Sequence, residues 1–364
     1  MLQRDRANVA KSSDNKRHST NRGMSMTKKM KPVANVLAAL MLTAFATVPA
    51  LALQKGTGGP EYIGPQATVT KTNGILTVSM DDASGLWTVT TGASHPNPGQ
   101  AVLYPIGTSW ITLRDATASI MYPNASPGSA GLAGYTVTPL TFGAVTSITG
   151  GYRAAYTAPS WTVTQDVTIN GTALIDTNVQ QTVTVCNTSG AARTYGVRFM
   201  WDWYIAGNDA SFFRQRNPDT AFTNVFQTFV NPGFPIFEET NNIVTPLFTV
   251  FGTVGGGPLI PTPTQPDQLR YSSWSAAVGS AWDFTNTGSG ADSATEHYWG
   301  FNSPLTLAAG GCASYTEYLT TNLNAAGGGG AINTAVPTLS TWGLLLLITL
   351  IGGISLWSVR RKLG

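Results

Sequence analysis

Apolar and polar positions alternate with a period of two between residues 60 and 322. Trp161, Val163, Val167 and Ile169 fall on one side of an extended segment, and Thr162, Thr164, Asp166 and Thr168 on the other. Val179, Val183 and Val185 alternate in the same way with Gln180, Thr182 and Thr184. The longest such segment is 193–205, where Tyr195, Val197, Phe199, Trp201, Trp203 and Ile205 share one side. Arg193 is the one polar residue there; Thr194, Arg198, Asp202 and Tyr204 take the other side. Weaker versions of the pattern predict strands at 74–80, 86–91, 108–113, 141–149, 222–230, 244–254, 269–274, 297–302 and 314–320. Asn73-Gly74, Asn170-Gly171 and Ser189-Gly190 supply turns between several of them. No helix-length amphipathic segment interrupts the series. An all-β fold follows: one large antiparallel β-sandwich over residues 53–324. The Pro/Gly-rich stretch 255–267 reads as a surface loop inserted in that sandwich.

Both flanks break the pattern. Lys28, Lys29 and Lys31 precede an apolar run from Val33 to Val48, followed by Pro49-Ala50-Leu51-Ala52. A basic region, an apolar core and small residues at the Ala50 and Ala52 positions make a secretory signal peptide over 24–52. Its expected partners are the Sec translocon and signal peptidase, with cleavage after Ala52; an uncleaved N-terminal anchor is the alternative. Residues 1–23 are polar and basic and read as a spurious or disordered extension, with Met24 or Met26 as the more natural start.

On the other side a Gly-rich linker, 325–335, leads to Val336-Pro337-Thr338-Leu339-Ser340-Thr341-Trp342-Gly343. An apolar stretch from Leu344 to Val359 and the basic cluster Arg360-Arg361-Lys362 come next. Trp342 to Val359 is 18 residues, enough for one membrane-spanning helix. The basic cluster is expected to stay cytoplasmic, which puts the body outside, as the signal peptide does independently.

Motif, apolar helix and basic stop in this order resemble the sorting signals that exosortases read in Gram-negative bacteria, in the variant named for its Ile-Pro-Thr-Leu motif. Val336 replaces the Ile conservatively; Thr341 stands where the pattern usually has Glu. The resemblance covers 336–364 and implies recognition of Val336, Pro337, Thr338, Leu339, Ser340, Trp342 and Gly343 by a membrane-embedded exosortase. Cleavage near the motif and release to the cell surface or extracellular matrix would follow. A permanent single-pass anchor is the other reading.

Charge changes the picture only once it is divided. The chain holds 21 basic and 18 acidic residues, a net +3. Nine of the cations lie in residues 1–31, with two acids, and three more are Arg360, Arg361 and Lys362. Without these, residues 53–336 carry 9 basic and 16 acidic side chains, a balance of −7. An acidic body is a poor partner for a phosphate backbone, so nucleic acid is excluded.

Residues 193–320 also resemble an uncharacterised extracellular β-domain of bacteria. The residues that carry this are Val197-Arg198-Phe199-Met200-Trp201-Asp202-Trp203, Asn208-Asp209, Phe212-Phe213-Arg214, Ser273-Trp274, Trp282-Asp283-Phe284, Asp292-Ser293-Ala294 and Tyr298-Trp299. The resemblance implies a supersandwich, a fold also used by sugar mutarotases and some polysaccharide lyases, and brings no known activity with it.

Candidate chemistry is sparse. Asp202, Asp209, Asp219, Glu238 and Glu239 lie within 38 residues, near Arg198, Arg214 and Arg216. Three readings stand for this group: a set of structural ion pairs, with Arg198 and Asp202 paired on the surface across Met200; a calcium or ligand site; or a pair of glycosidase-type carboxylates. His95 and His297 are the only histidines of the body and read as surface residues; no H-E-x-x-H or G-x-S-x-G spacing exists. Cys186 ends one strand and Cys312 begins another, so either a disulfide staples the two strands or both are buried thiols. Trp161, Trp201 and Trp203 belong to the core, while Trp87, Trp110, Trp274 and Trp299 remain unassigned. No cofactor is expected. The combined expectation is an exported, exosortase-processed surface or matrix protein, non-enzymatic, with a structural or polysaccharide-binding body. The alternatives are a secreted carbohydrate-active enzyme and a permanently anchored periplasmic protein.

Overall fold

The computed structural model describes residues 67–328, apart from Ile106 and Ala291. The signal peptide with Ala50 and Ala52, the extension 1–23, and the sorting signal 336–364 with its span 342–359 lie outside the described residues. Among the described residues no helix is long and apolar enough to cross a membrane.

The first strands are β1 (Thr68–Thr72), β2 (Leu76–Asp81), β3 (Trp87–Thr91), β4 (Trp110–Asp115), β5 (Ile120–Pro123), β6 (Thr136–Val137) and β7 (Thr141–Ile148). The middle of the chain supplies β8 (Gly151–Ala158), β9 (Trp161–Asn170), β10 (Asn178–Asn187), β11 (Arg193–Asp202), β12 (Phe212–Arg216) and β13 (Gln227–Val230). The last are β14 (Ile236–Thr240), β15 (Thr249–Thr253), β16 (Gln268–Ser273), β17 (Ser293–Trp299), β18 (Leu305–Leu307) and β19 (Cys312–Thr320). One short helix, α1 (Trp274–Val278), separates β16 from β17.

Two eight-stranded sheets form the sandwich. The first runs β12-β14-β15-β19-β10-β9-β8-β7; the second runs β13-β16-β17-β11-β4-β5-β6, with β18 on β11. A third sheet, β1-β2-β3, packs on the first through Tyr156, whose hydroxyl donates to the Ser84 carbonyl at 3.0 Å, and through Gln165, whose amide donates to Gly85 O at 3.0 Å. All pairings are antiparallel except β5 with β6. This is the expected all-β sandwich. β7, an edge strand, slips register between Phe142 and Ala144, a bulge centred on Gly143.

The alternation of β9, β10 and β11 is explained by what each face meets. Val163, Val167, Val183 and Val185 of one sheet and Tyr195, Val197, Phe199 and Trp201 of the other share one buried core. Polar crosslinks pass through it: the Trp201 indole donates to Gln181 Oε1 at 2.6 Å, and the Tyr195 and Tyr315 hydroxyls lie 2.6 Å apart. Each buried polar group is tolerable there because it is bonded.

The opposite face of β11, expected to meet water, is also covered. Residues Trp274–Val278 and the loop through Trp282 lie over it, and Arg198 is fully buried beneath them. Its guanidinium donates to Ser280 O at 2.7 Å and Ala277 O at 3.0 Å, so it closes the end of α1 against the sheet. This corrects the expected surface pair of Arg198 with Asp202: both are buried, and Arg198 instead approaches Glu296 at 4.0 Å. The two histidines are corrected as well. His297 is buried between the sheets and donates to Thr253 O at 3.2 Å; burial lowers it to about 3, so it stays neutral. His95 is buried under a loop, accepts from Asn97 N–H at 2.9 Å and bonds the Thr321 hydroxyl at 2.9 Å. All eight tryptophans of residues 67–328 are buried, the unassigned four included.

Cys186 and Cys312 face each other in register across β10 and β19 and form a disulfide. The same column holds Thr184 with Ser314 at 2.7 Å and Thr182 with Thr316 at 2.9 Å. These side chains occupy the outer face of the first sheet, because their neighbours Val183, Val185 and Tyr315 point into the core.

Candidate functional site

Three carboxylates converge at one end of the second sheet. Asp202 is the last residue of β11. After Trp203, Tyr204 and Ile205 the chain reverses through Ala206 and Gly207, both at positive φ (50° and 85°). Ile205 and Asn208 exchange backbone bonds at 3.0 Å across this two-residue turn. The reversal returns Asp209 toward the sheet, where its carbonyl accepts from Ser293 N–H at 2.7 Å. β17 starts at Ser293 and pairs with β11 so that Ala294 faces Asp202, which brings Asp292 alongside. Oxygens of Asp202, Asp209 and Asp292 lie within 4.8 Å of one another.

Tyrosine and hydroxyl groups border this cluster. Tyr104 N–H donates to Asp202 O at 2.9 Å, and its ring meets Tyr204 edge-on at 5.1 Å. The Thr108 hydroxyl donates to the Asp202 carboxylate, and Asp202 N–H donates to Ser109 Oγ at 3.1 Å. Burial, then the charges of Asp209 and Asp202, with Tyr204 and Asp292 adding to them, push the Tyr104 hydroxyl up to about 12. It therefore keeps its proton at neutral pH. Three carboxyl groups with hydroxyls around them are the donor set that a hard divalent cation or a polyol takes.

The other predicted acids do not join this cluster. Glu238 takes Arg214 at 2.6 Å and Arg216 at 3.0 Å, and Arg216 also meets Asp219 at 3.0 Å. Arg214 and Glu238 are direct cross-strand partners on β12 and β14, the structural pairing that one reading of the sequence expected. Glu239 points the other way, between the sheets, beside Phe213, its partner across the strands. The Ser211 hydroxyl donates to it at 2.5 Å and lies 2.7 Å from the Ser293 hydroxyl. Burial pushes the Glu239 carboxyl up to about 8, a rise the Ser211 bond offsets only in part. By strand alternation Asp202 and Glu239 lie on opposite sides of the second sheet. They do not flank a common cleft, as two glycosidase carboxylates must.

Asp292 and Tyr104 escaped the sequence reading. Asp292 is 83 positions from Asp209, and only the β11–β17 register joins them. Nothing local marks Tyr104.

No protein-family model matches the chain, and no curated protein matches it. Among solved structures, a protein of Synechocystis sp. PCC 6803 is similar with a TM-score of 0.41 and 8% identity, over 74% of this chain and 99% of its own. A galactose mutarotase related enzyme from Lactobacillus acidophilus gives 0.40 and 10%, over 70% and 98%. A galactose mutarotase-like protein from Lactobacillus casei gives 0.42 and 10%, over 70% and 99%. The β-sandwich stands on the sheet order described above.

Proposed function

We propose that this chain is an exported protein that an exosortase processes at its C-terminal signal, and that its β-sandwich serves at the cell surface or in the extracellular matrix without catalysing a reaction. The observation that carries this is the order of Val336-Pro337-Thr338-Leu339, an 18-residue apolar segment and Arg360-Arg361-Lys362, opposite a secretory signal. The Cys186–Cys312 disulfide supports it independently, because such bonds persist in oxidising compartments outside the cytoplasm. Burial of all eight body tryptophans supports a structural over a glycan-binding role, since none is left as a flat platform for sugar rings. Pro337 cannot pair in a helix or strand, so it keeps the motif extended and accessible to a protease just outside the bilayer. Intact mass of the mature protein from envelope and medium tests this. The expected chain ends between Val336 and Trp342, and Pro337→Ala accumulates as precursor. Leu363-Gly364 retained throughout the mature pool overturns it and leaves a single-pass anchored protein.

A second reading, binding of a cation or a glycan, is favoured by the convergence of Asp202, Asp209 and Asp292 beside Tyr104. Under it, calcium raises the melting midpoint of the wild type and not of Asp209→Asn. Equal midpoints with and without calcium, for both proteins, dismiss the cation form.

A further inference from the structure

Where the tether leaves the body, the surface is apolar and almost uncharged. β19 ends at Thr320, and the chain turns through Thr321–Gly328 toward the linker. Four other loops share this end. Residues 73–75 bond residue 171 through Asn73 Nδ2 at 3.0 Å, and the Thr320 hydroxyl donates to Thr177 O at 2.6 Å. His95 of loop 92–100 bonds Thr321, and its ring meets Phe248 at 5.6 Å. Phe251 of β15 pairs with Thr320, which sets loop 241–248 beside the exit. Across these five loops Asp176 is the one charged residue, and Asn208, whose Nδ2 donates to Asn241 O at 2.7 Å, brings Asp209 of the carboxylate cluster next to them.

Their tips are apolar and exposed: Ile175 at 62%, Ile243 at 50%, Val244 at 83% and Leu247 at 71%. In loop 241–248 the backbone donors from Val244 onward are already spent. Asn242 Oδ1 accepts from Val244 N–H at 2.8 Å and Thr245 N–H at 3.2 Å. Asn241 Oδ1 accepts from Leu247 N–H at 3.1 Å and Phe248 N–H at 3.3 Å, and Pro246 has no N–H. From Val244 to Phe248 every backbone N–H is bonded, which lowers the cost of taking these donors out of water. A tip that holds its own backbone bonds and points isoleucine, valine and leucine outward is otherwise a costly surface.

We infer that this end of the sandwich rests on the lipid bilayer, with Val244 and Leu247 dipping into its interface, while the precursor is still anchored. The inference rests on the C-terminal span proposed above. From Gly328 to Trp342 is 14 residues. A Gly-rich coil of that length would average about 20 Å end to end, which would keep the exit end near the membrane that carries the span. Val244 and Leu247 are themselves uncharged, which keeps the desolvation cost of their own contact low, and processing would release the body by cutting the tether that holds the weak apolar contact in place.

The test uses the full chain reconstituted into phosphatidylethanolamine/phosphatidylglycerol vesicles. Cys186 and Cys312 are bonded to each other, so a new thiol in Val244→Cys takes an environment-sensitive fluorophore alone. Ala191→Cys, exposed at the opposite end of β10, is the control. The expected result is flotation of both proteins, with blue-shifted emission and loss of signal to acyl-chain quenchers for Val244→Cys only. Flotation with an unquenched Val244→Cys label overturns the inference, leaves the anchor standing, and turns the apolar tip toward a protein partner. Failure of both proteins to float removes the anchor and the inference together.

Discussion

Replacing Cys186 and Cys312 together by serine is expected to lower the unfolding free energy by about 4–5 kcal/mol. The size follows from chain entropy. The two residues are 126 apart, so the bond closes a loop that contains every strand from β11 to β18. Those strands supply the larger part of the second sheet and three strands of the first. In the unfolded chain the bond removes the freedom of that whole segment. In the native state the two residues are already paired across β10 and β19, so little is lost there by linking them. Denaturant titration of both forms measures the difference. Cys312 is exposed and Cys186 half-buried, so wild type under reductant should move toward the variant. A loss below about 1 kcal/mol, the size of an ordinary point substitution, would mean that the unfolded segment is already constrained.

The second large effect is a pH dependence of opposite sign to that of an ordinary ion-paired acid. Glu239, fully buried, is raised to about 8 in the folded protein and titrates near 4.5 when unfolded. Between those values the folded state holds a proton that the unfolded state has released, so stability falls as pH rises from about 4.5 to about 8. Glu239→Gln removes that proton and keeps the shape. Its stability relative to wild type should be unchanged near pH 4 and should climb to a gain on the order of 4 kcal/mol at pH 8. Parallel stability profiles for the two proteins would show that Glu239 is charged in the fold. Glu296, raised to about 7 by burial against the pull of Arg198, Ser272 and Arg270, and Glu317, which burial raises well above the ordinary carboxyl value, keep a slope of the same sign in the variant.

How much of this was legible depended on how many faces of a strand meet water. β9 alternates buried and accessible residues along its length, and its pattern is plain in the sequence. β14, β16 and β17 are buried on both faces, so alternation carries no information there. The alternation predicts no strand over 236–240, where Glu238 and Glu239 stand, and it predicts 297–302 where the structure has Ser293–Trp299. The same double burial explains His297 and Arg198. The partners that make them tolerable, Thr253 O, Ser280 O and Ala277 O, are distant in sequence. Of the carboxylate cluster, Asp202 and Asp209 were legible because one turn joins them. Asp292 required the β11–β17 register, which no local signal sets.

The bulge in β7 has a consequence beyond the fold. β7 is eight residues long and closes one edge of its sheet, where a regular edge would present evenly spaced donors and acceptors to any second chain. At Gly143 that spacing is broken, and a side chain there would crowd Ala155 O at 3.2 Å. A copy arriving alongside finds no continuous ladder to extend. On this edge of the sheet, resistance to pairing with a second copy therefore rests on one residue that has no side chain.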